Sequence, residues 1–115
     1  MKERLKILVI RFSSIGDIIL TTPVIRCLSL QLNTKVDFLT NKKHSRVLET
    51  NPYIDNIFSI SEDKKVTLDI LQLKGYDCIV DLQNNFRSLR IRKALATKSF
   101  IYSKNTLKRY LLIYF

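Results

Sequence analysis

Glycine is scarce in this chain: Gly16 and Gly75 are the two glycines among 115 residues. A phosphate-cradling Walker loop and a dinucleotide fingerprint each need several glycines at fixed spacing, so neither is present. Cysteine is equally sparse. Cys27 and Cys78 show no metal-ligand spacing and each lies in an apolar segment, so both read as free, packed thiols. His44, beside Lys43, reads as a surface histidine. No apolar run is long enough to span a bilayer. The charged start Met1-Lys2-Glu3-Arg4 leads into too short an apolar stretch for a signal peptide. A cytoplasmic protein is expected.

Acidic residues are missing from the last third. All ten lie at or before Asp81, where they nearly balance twelve bases. From Leu82 onward Arg87, Arg90, Arg92, Lys93, Lys98, Lys104, Lys108 and Arg109 stand without a single acid, and the net charge is +10. A segment of one sign favours anionic partners: phosphates, nucleic acid or an anionic membrane surface. Few aromatics interleave the charges between Arg87 and Lys98, which argues against base stacking and single-stranded RNA.

What is present is apolar material in an alternating pattern. Hydrophobic residues make up 46% of the chain, too many for a disordered segment and enough for one buried core. Leu5–Arg11 reads as a buried strand and Ile18–Leu32 as a helix, with Pro23 tolerated if a new first turn begins there under a Thr22 cap. Val36–Leu39 is a second strand. Lys43–Thr50 is a short helix that stops before Asn51-Pro52. Asn56–Ile60 is a third strand, 61–65 a polar loop, and Val66–Leu73 a helix ending near Gly75. Tyr76–Leu82 is a fourth strand. Asn84 or Asn85 caps a helix over Phe86–Leu95. Ser99–Tyr102 is a fifth strand, and Asn105–Phe115 begins another helix.

Strand–helix alternation at this spacing predicts an α/β domain: a Rossmann-like parallel sheet of about five strands with helices on both faces. Right-handed crossovers favour the order 3-2-1-4-5. That order places the loops Phe12–Asp17 and Leu82–Arg87 side by side at the carboxyl edge, where such sheets bind ligands. The apolar ending Tyr110-Leu111-Leu112-Ile113-Tyr114-Phe115 stops mid-pattern, as expected of the N-terminal part of a longer protein, and Tyr102, Tyr110 and Tyr114 read as packing residues.

The first loop carries the chemistry. Ser13, Ser14 and Gly16 offer hydroxyls and free N–H groups at a helix start, suited to a carboxylate or phosphate. Gly16 permits close backbone approach or a positive φ. Asp17 is either a general base or an N-terminal acid complementing the helix dipole. In the second loop Asn84, Asn85, Arg87 and Ser88 could hold sugar hydroxyls and a carboxylate, or simply cap a helix.

The stretch Lys6-Ile7-Leu8-Val9-Ile10-Arg11-Phe12-Ser13-Ser14-Ile15-Gly16-Asp17-Ile18-Ile19-Leu20-Thr21-Thr22-Pro23 resembles the opening of the heptosyltransferases, glycosyltransferase family 9. Val36–Thr40 followed by Asn51–Asp55 looks like that family's second strand and the approach to the third, and Tyr76–Ser88 like its fourth strand and following loop. The resemblance implies a GT-B arrangement of two Rossmann-like halves. The N-terminal half binds the acceptor, an anionic lipid-linked saccharide of the lipopolysaccharide inner core. The C-terminal half binds a nucleotide-sugar donor, typically ADP-heptose. Transfer inverts the anomeric centre and uses no metal or other cofactor.

Asp17 matches the family's proposed general base. Ser13, Ser14, Gly16, Asn84, Arg87 and Ser88 are expected around the acceptor. Lys64 and Lys65 lie where the family carries basic residues toward it. Peripheral contact with the inner membrane face is expected, and no nucleic-acid partner. Family members are much longer than this chain, which holds no donor half, so residues 1–115 alone are expected not to turn over. The rival reading is a free-standing basic Rossmann-like module that binds a nucleotide or nucleic acid without catalysis.

Overall fold

The structure is a computed structural model that describes residues 5–31, 33–60 and 64–101, without the side chains of Lys64 and Lys65. The predicted helix over 105–115, Tyr102 and the bases Lys104, Lys108 and Arg109 lie outside the described residues.

Five parallel strands form one sheet in the order β3-β2-β1-β4-β5, as the alternation predicts. They are β1 (Leu5–Ile10), β2 (Thr34–Asn41), β3 (Ile54–Ile60), β4 (Cys78–Asp81) and β5 (Ser99–Ile101). The helices are α1 (Ile15–Leu20), α2 (Thr22–Gln31), α3 (Lys64–Lys74) and α4 (Phe86–Leu95), with a 3-10 helix over Lys42–Leu48. Central β1 pairs with β2 and β4 on its two sides, Ile7 lying opposite both Val36 and Cys78.

Alternation along the strands divides the core in two. Ile7, Val9, Val36, Phe38, Val80 and Leu82 pack with Ile18, Ile25 and Leu48, so α1, α2 and the 3-10 helix cover one face. Leu8, Ile10, Leu39 and Ile79 pack with Leu71 and Ile91, so α3 and α4 cover the other. Central strands buried on both sides read as unbroken Ile/Leu/Val runs for this reason. A buried carboxylate also ties strands together. Asp37 accepts from the Asn56 backbone at 3.0 Å, the Asn56 amide at 3.1 Å and the Tyr76 hydroxyl at 2.7 Å. Burial, then the Asp37 contact, pushes the Tyr76 hydroxyl's pKa far above its ordinary value.

Several expected boundaries move: β3 begins at Ile54, β4 is confined to Cys78–Asp81, and the helix expected over Lys43–Thr50 is the 3-10 helix Lys42–Leu48. The first helix is two helices divided at Thr21, so Pro23 does lie in a new first turn, with the boundary one residue before the expected Thr22 cap. Pro23 has no N–H for the Ile19 carbonyl, and the Thr22 hydroxyl donates to that carbonyl at 2.8 Å. Thr21 does the same for Ile18 at 2.6 Å, and its own carbonyl accepts the first bond of α2 from Ile25. Lys64 and Lys65 open α3, so they belong to a helix and not to the preceding loop. β2 runs from Thr34 to Asn41, longer at both ends than its apolar centre, because Thr34 and Thr40 are fully buried. Gly75, at φ 65°, takes the left-handed position after α3 that glycine adopts without strain.

Candidate active site

Two loops meet at the carboxyl edge of the adjacent strands β1 and β4. The first runs from Arg11 into α1. The Phe12 and Ser13 N–H groups donate to the Gln83 side-chain oxygen at 3.0 and 3.4 Å, and the Phe12 carbonyl accepts from the Asn41 amide at 3.0 Å. Residues from β2 and from the β4 loop thus hold the chain where it leaves β1. Sequence pattern did not single out Gln83 or Asn41. Their amides serve backbone groups of a distant segment, and no local motif marks such a role.

Asp17 stands in the first turn of α1, with acid favoured by the helix dipole. Its Oδ2 accepts from the Ser14 hydroxyl at 2.9 Å and the Ser14 N–H at 3.4 Å, and lies 3.0 Å from Arg11 Nη2. The Arg11 and Asp17 side chains are both mostly buried, at 13% and 14% exposure, so this pair is screened less than a surface one. Arg11 also donates through Nη1 to the Leu82 carbonyl, which fixes the guanidinium between the two loops. Arg11 was missed in the motif because it reads as the last residue of a strand. A charged residue ending an otherwise apolar run was the signal available.

Ser14 and Gly16 are exposed beside this pair, and Ser13 is half-buried. Gly16 has neither a positive φ nor a crowded surrounding: a Cβ there would meet nothing within 4 Å. The positive-φ alternative therefore falls away, and no crowding in the structure requires a glycine here.

The second loop is organised by Asp81, which is fully buried at the end of β4. Its Oδ1 accepts from the Gln83 and Asn84 N–H groups at 3.0 and 2.9 Å, and its Oδ2 lies 2.8 Å from Arg92 Nε on α4. Asn84 is exposed at φ 49°, a conformation asparagine tolerates well. Asn85 is the cap of α4. Its Oδ1 accepts from the Ser88 N–H at 3.0 Å, while the Ser88 hydroxyl accepts from the Asn85 N–H at 2.9 Å. Ser88 is fully buried with its hydroxyl held in this cap. Arg87 is exposed, its guanidinium 5.1 Å from the centre of the Phe12 ring.

The expected juxtaposition of the two loops is therefore present, through Arg11 to the Leu82 carbonyl, Phe12 and Ser13 to Gln83, and Arg87 over Phe12. Lys64 and Lys65 stand apart from it in sequence order, at the start of α3 after the edge strand β3. No group of three or more metal-ligating side chains occurs among the described residues. No helix among them is long and apolar enough to cross a membrane. Both cysteines are free and half-buried.

No protein-family model matches the chain. A lipopolysaccharide heptosyltransferase 1 from Campylobacter coli is 29% identical over 111 residues, covering 90% of this chain and 32% of that protein. A glycosyl transferase family 9 structure from Veillonella parvula superposes with a TM-score of 0.73 at 21% identity, over 90% of this chain and 36% of the other. The E. coli ADP-heptose lps heptosyltransferase II gives 0.73 at 21% identity, over 92% of this chain and 32% of that one. The E. coli heptosyltransferase WaaC, solved with ADP-2-deoxy-2-fluoro heptose, gives 0.72 at 17% identity, over 86% and 36%. The chain thus spans about a third of the length of the proteins it matches. The resemblance carried by the opening motif extends along nearly the whole chain: in sequence and in fold, it is similar to heptosyltransferases of glycosyltransferase family 9.

Proposed function

We propose that residues 1–115 are the acceptor-binding part of an inverting, metal-independent heptosyltransferase-type glycosyltransferase. The observation that carries this reading is the Asp17 carboxylate, held by Arg11 and Ser14 at a strand-end loop beside exposed Ser14 and Gly16. Asp17 takes the proton from an acceptor hydroxyl. The oxygen attacks the anomeric carbon of the donor from the face opposite the nucleotide, the sugar–phosphate bond breaks, and the nucleoside diphosphate leaves. One displacement inverts the centre.

Arg11 keeps the carboxylate in place through two hydrogen-bonding directions at once, so that the base meets the acceptor with its geometry already set. Ser13, Ser14 and the Gly16 backbone contact the acceptor. Asn84 and Arg87 hold its hydroxyls and an acidic group, for which a guanidinium gives a bidentate partner. Ser88 supports this site by fixing the start of α4. Lys64 and Lys65, at the start of α3, add positive charge suited to an anionic acceptor. The donor is a nucleotide-sugar, ADP-heptose by similarity to the relatives, and its binding falls to parts beyond this chain. The enzyme works on a lipid-linked saccharide at the cytoplasmic face of the membrane.

The test is a titration of this chain with a lipopolysaccharide inner-core oligosaccharide, followed by amide shifts in NMR. Shifts clustered at 13–17 and 84–88, with binding weakened roughly tenfold by Arg87→Ala, are expected. Shifts elsewhere, or none with ligand in large excess, contradict the acceptor role.

A further inference from the structure

On the face opposite α1, helices α3 and α4 part toward the carboxyl edge and leave a cleft of about 220 Å³. Its lining follows from helical spacing. Thr67, Leu68 and Leu71 share one side of α3, Arg87, Arg90 and Ile91 share one side of α4, and Ile60 at the end of β3 completes it. At the other end the helices are tied, since the Gln72 amide donates to the Ala94 carbonyl at 2.9 Å. The floor is aliphatic, and the charged groups lining the cleft are two guanidiniums. No carboxylate lines it among the described residues.

We propose that this cleft binds the alkyl chain of an anionic amphiphile whose head group is held by Arg87 and Arg90. Size and charge together select that class. An apolar cavity of about 150 Å³ suffices for a benzene-sized guest, whereas drug-sized ligands need about 300–1,000 Å³, so the cleft suits a short alkyl segment and not a nucleotide. Two arginines one helical turn apart at the mouth complement a phosphate or carboxylate, and an uncharged lipid would leave both without a partner. Arg87 also stacks on Phe12, so the head group would lie next to the Ser13–Asp17 loop. Identifying the chain with the lipid end of the saccharide acceptor rests on the proposed acceptor role; binding of the amphiphile itself does not.

The experiment is a titration of the chain with octyl phosphate below its micelle-forming concentration, read by NMR at Leu68, Leu71 and Ile91. Butyl phosphate, inorganic phosphate and octyl glucoside serve as comparison ligands. Each buried methylene is worth roughly fourfold in affinity, so octyl phosphate should bind at least tenfold more tightly than butyl phosphate. Arg90→Ala should weaken it roughly tenfold. Thr67→Phe, which fills the mouth, should abolish binding with the amide spectrum otherwise preserved. Equal affinity for inorganic phosphate would reduce the site to surface charge and overturn the proposal. Equal affinity for octyl glucoside, or octyl phosphate binding untouched by Thr67→Phe, would overturn it as well. Core oligosaccharide binding without octyl phosphate binding would sink the cleft alone. The reverse result would sink the acceptor role alone.

Discussion

The loops after β1 and β4 leave neighbouring strands at the same edge of the sheet and each opens into a helix with a capping box, yet only the first adds a charged pair to its box. After β4, Asp81 accepts two loop N–H groups, and Asn85 and Ser88 cap each other's backbone. After β1, the Ser14 hydroxyl donates to the Asp17 carboxylate and Arg11 joins the same oxygen. The β4 loop satisfies itself and becomes a rigid support. The β1 loop gathers a charged pair near its surface and depends on Gln83 and Asn41 to hold its backbone. The β4 loop, fixed by Asp81, in turn supplies the Gln83 oxygen that holds the backbone of the β1 loop.

Removing the anchor of the support should have the largest effect on stability. Asp81→Ala leaves Arg92 without its partner and two loop N–H groups without an acceptor, and should cost about 3–5 kcal/mol in chemical denaturation. A cost below that of an ordinary surface substitution would mean the β4 loop is not organised by Asp81. Gln83→Ala comes next, because it strips the acceptor from the buried Phe12 N–H. It should cost about 1–3 kcal/mol and speed hydrogen exchange at Phe12 and Ser13 while sparing Asn85 and Ser88. Exchange that quickens equally in both loops would erase the distinction between them.

The caps sharpen the contrast further. Asn85→Ala should cost about 1 kcal/mol, whereas Ser14→Ala should cost about 0.5 kcal/mol, because the exposed Ser14 hydroxyl is shared between the Asp17 carboxylate and the capping box of α1. The smallest effect concerns Cys78 at the head of β4. Burial, then the nearby Asp77 charge, raises its thiol pKa, so alkylation at mildly alkaline pH should lag behind that of an unfolded control. The folded state binds that proton more tightly, so this group weakens folding only as pH rises through and above the ordinary thiol range.

Much of this arrangement was legible in the sequence. Continuous apolar runs at Ile7–Ile10 and Cys78–Val80 marked strands buried on both faces, and strand–helix alternation with right-handed crossovers left the observed order. The extent of α4 and a cap at Asn84 or Asn85 were also readable, since capping is local, and the structure selects Asn85. Less legible were features set by distant partners. The break at Thr21 depends on the Thr22 hydroxyl, which replaces the bond to Ile19 that Pro23 cannot make. The roles of Gln83 and Asn41 lie in backbone groups many residues away. Ser88 looked like a ligand contact by type and position, and its burial in the cap places it in a supporting role. Lys64 and Lys65 looked like loop residues because no apolar period reaches them, although the helix begins there.

The central claim is that the Asp17 carboxylate is the base of a glycosyl transfer. Its most direct test is heptose transfer from ADP-heptose to an inner-core acceptor by a protein that carries this chain at the full length of its relatives, with and without Asp17→Asn. The asparagine keeps the size of the side chain but removes both the ability to take a proton and the charge paired with Arg11, so acceptor binding is measured alongside turnover. A fall in kcat of roughly 10²–10⁴-fold, with binding of the acceptor to this chain retained, is the predicted result. Turnover within a few-fold of the unaltered protein would contradict the account and leave Asp17 as the N-terminal acid of α1.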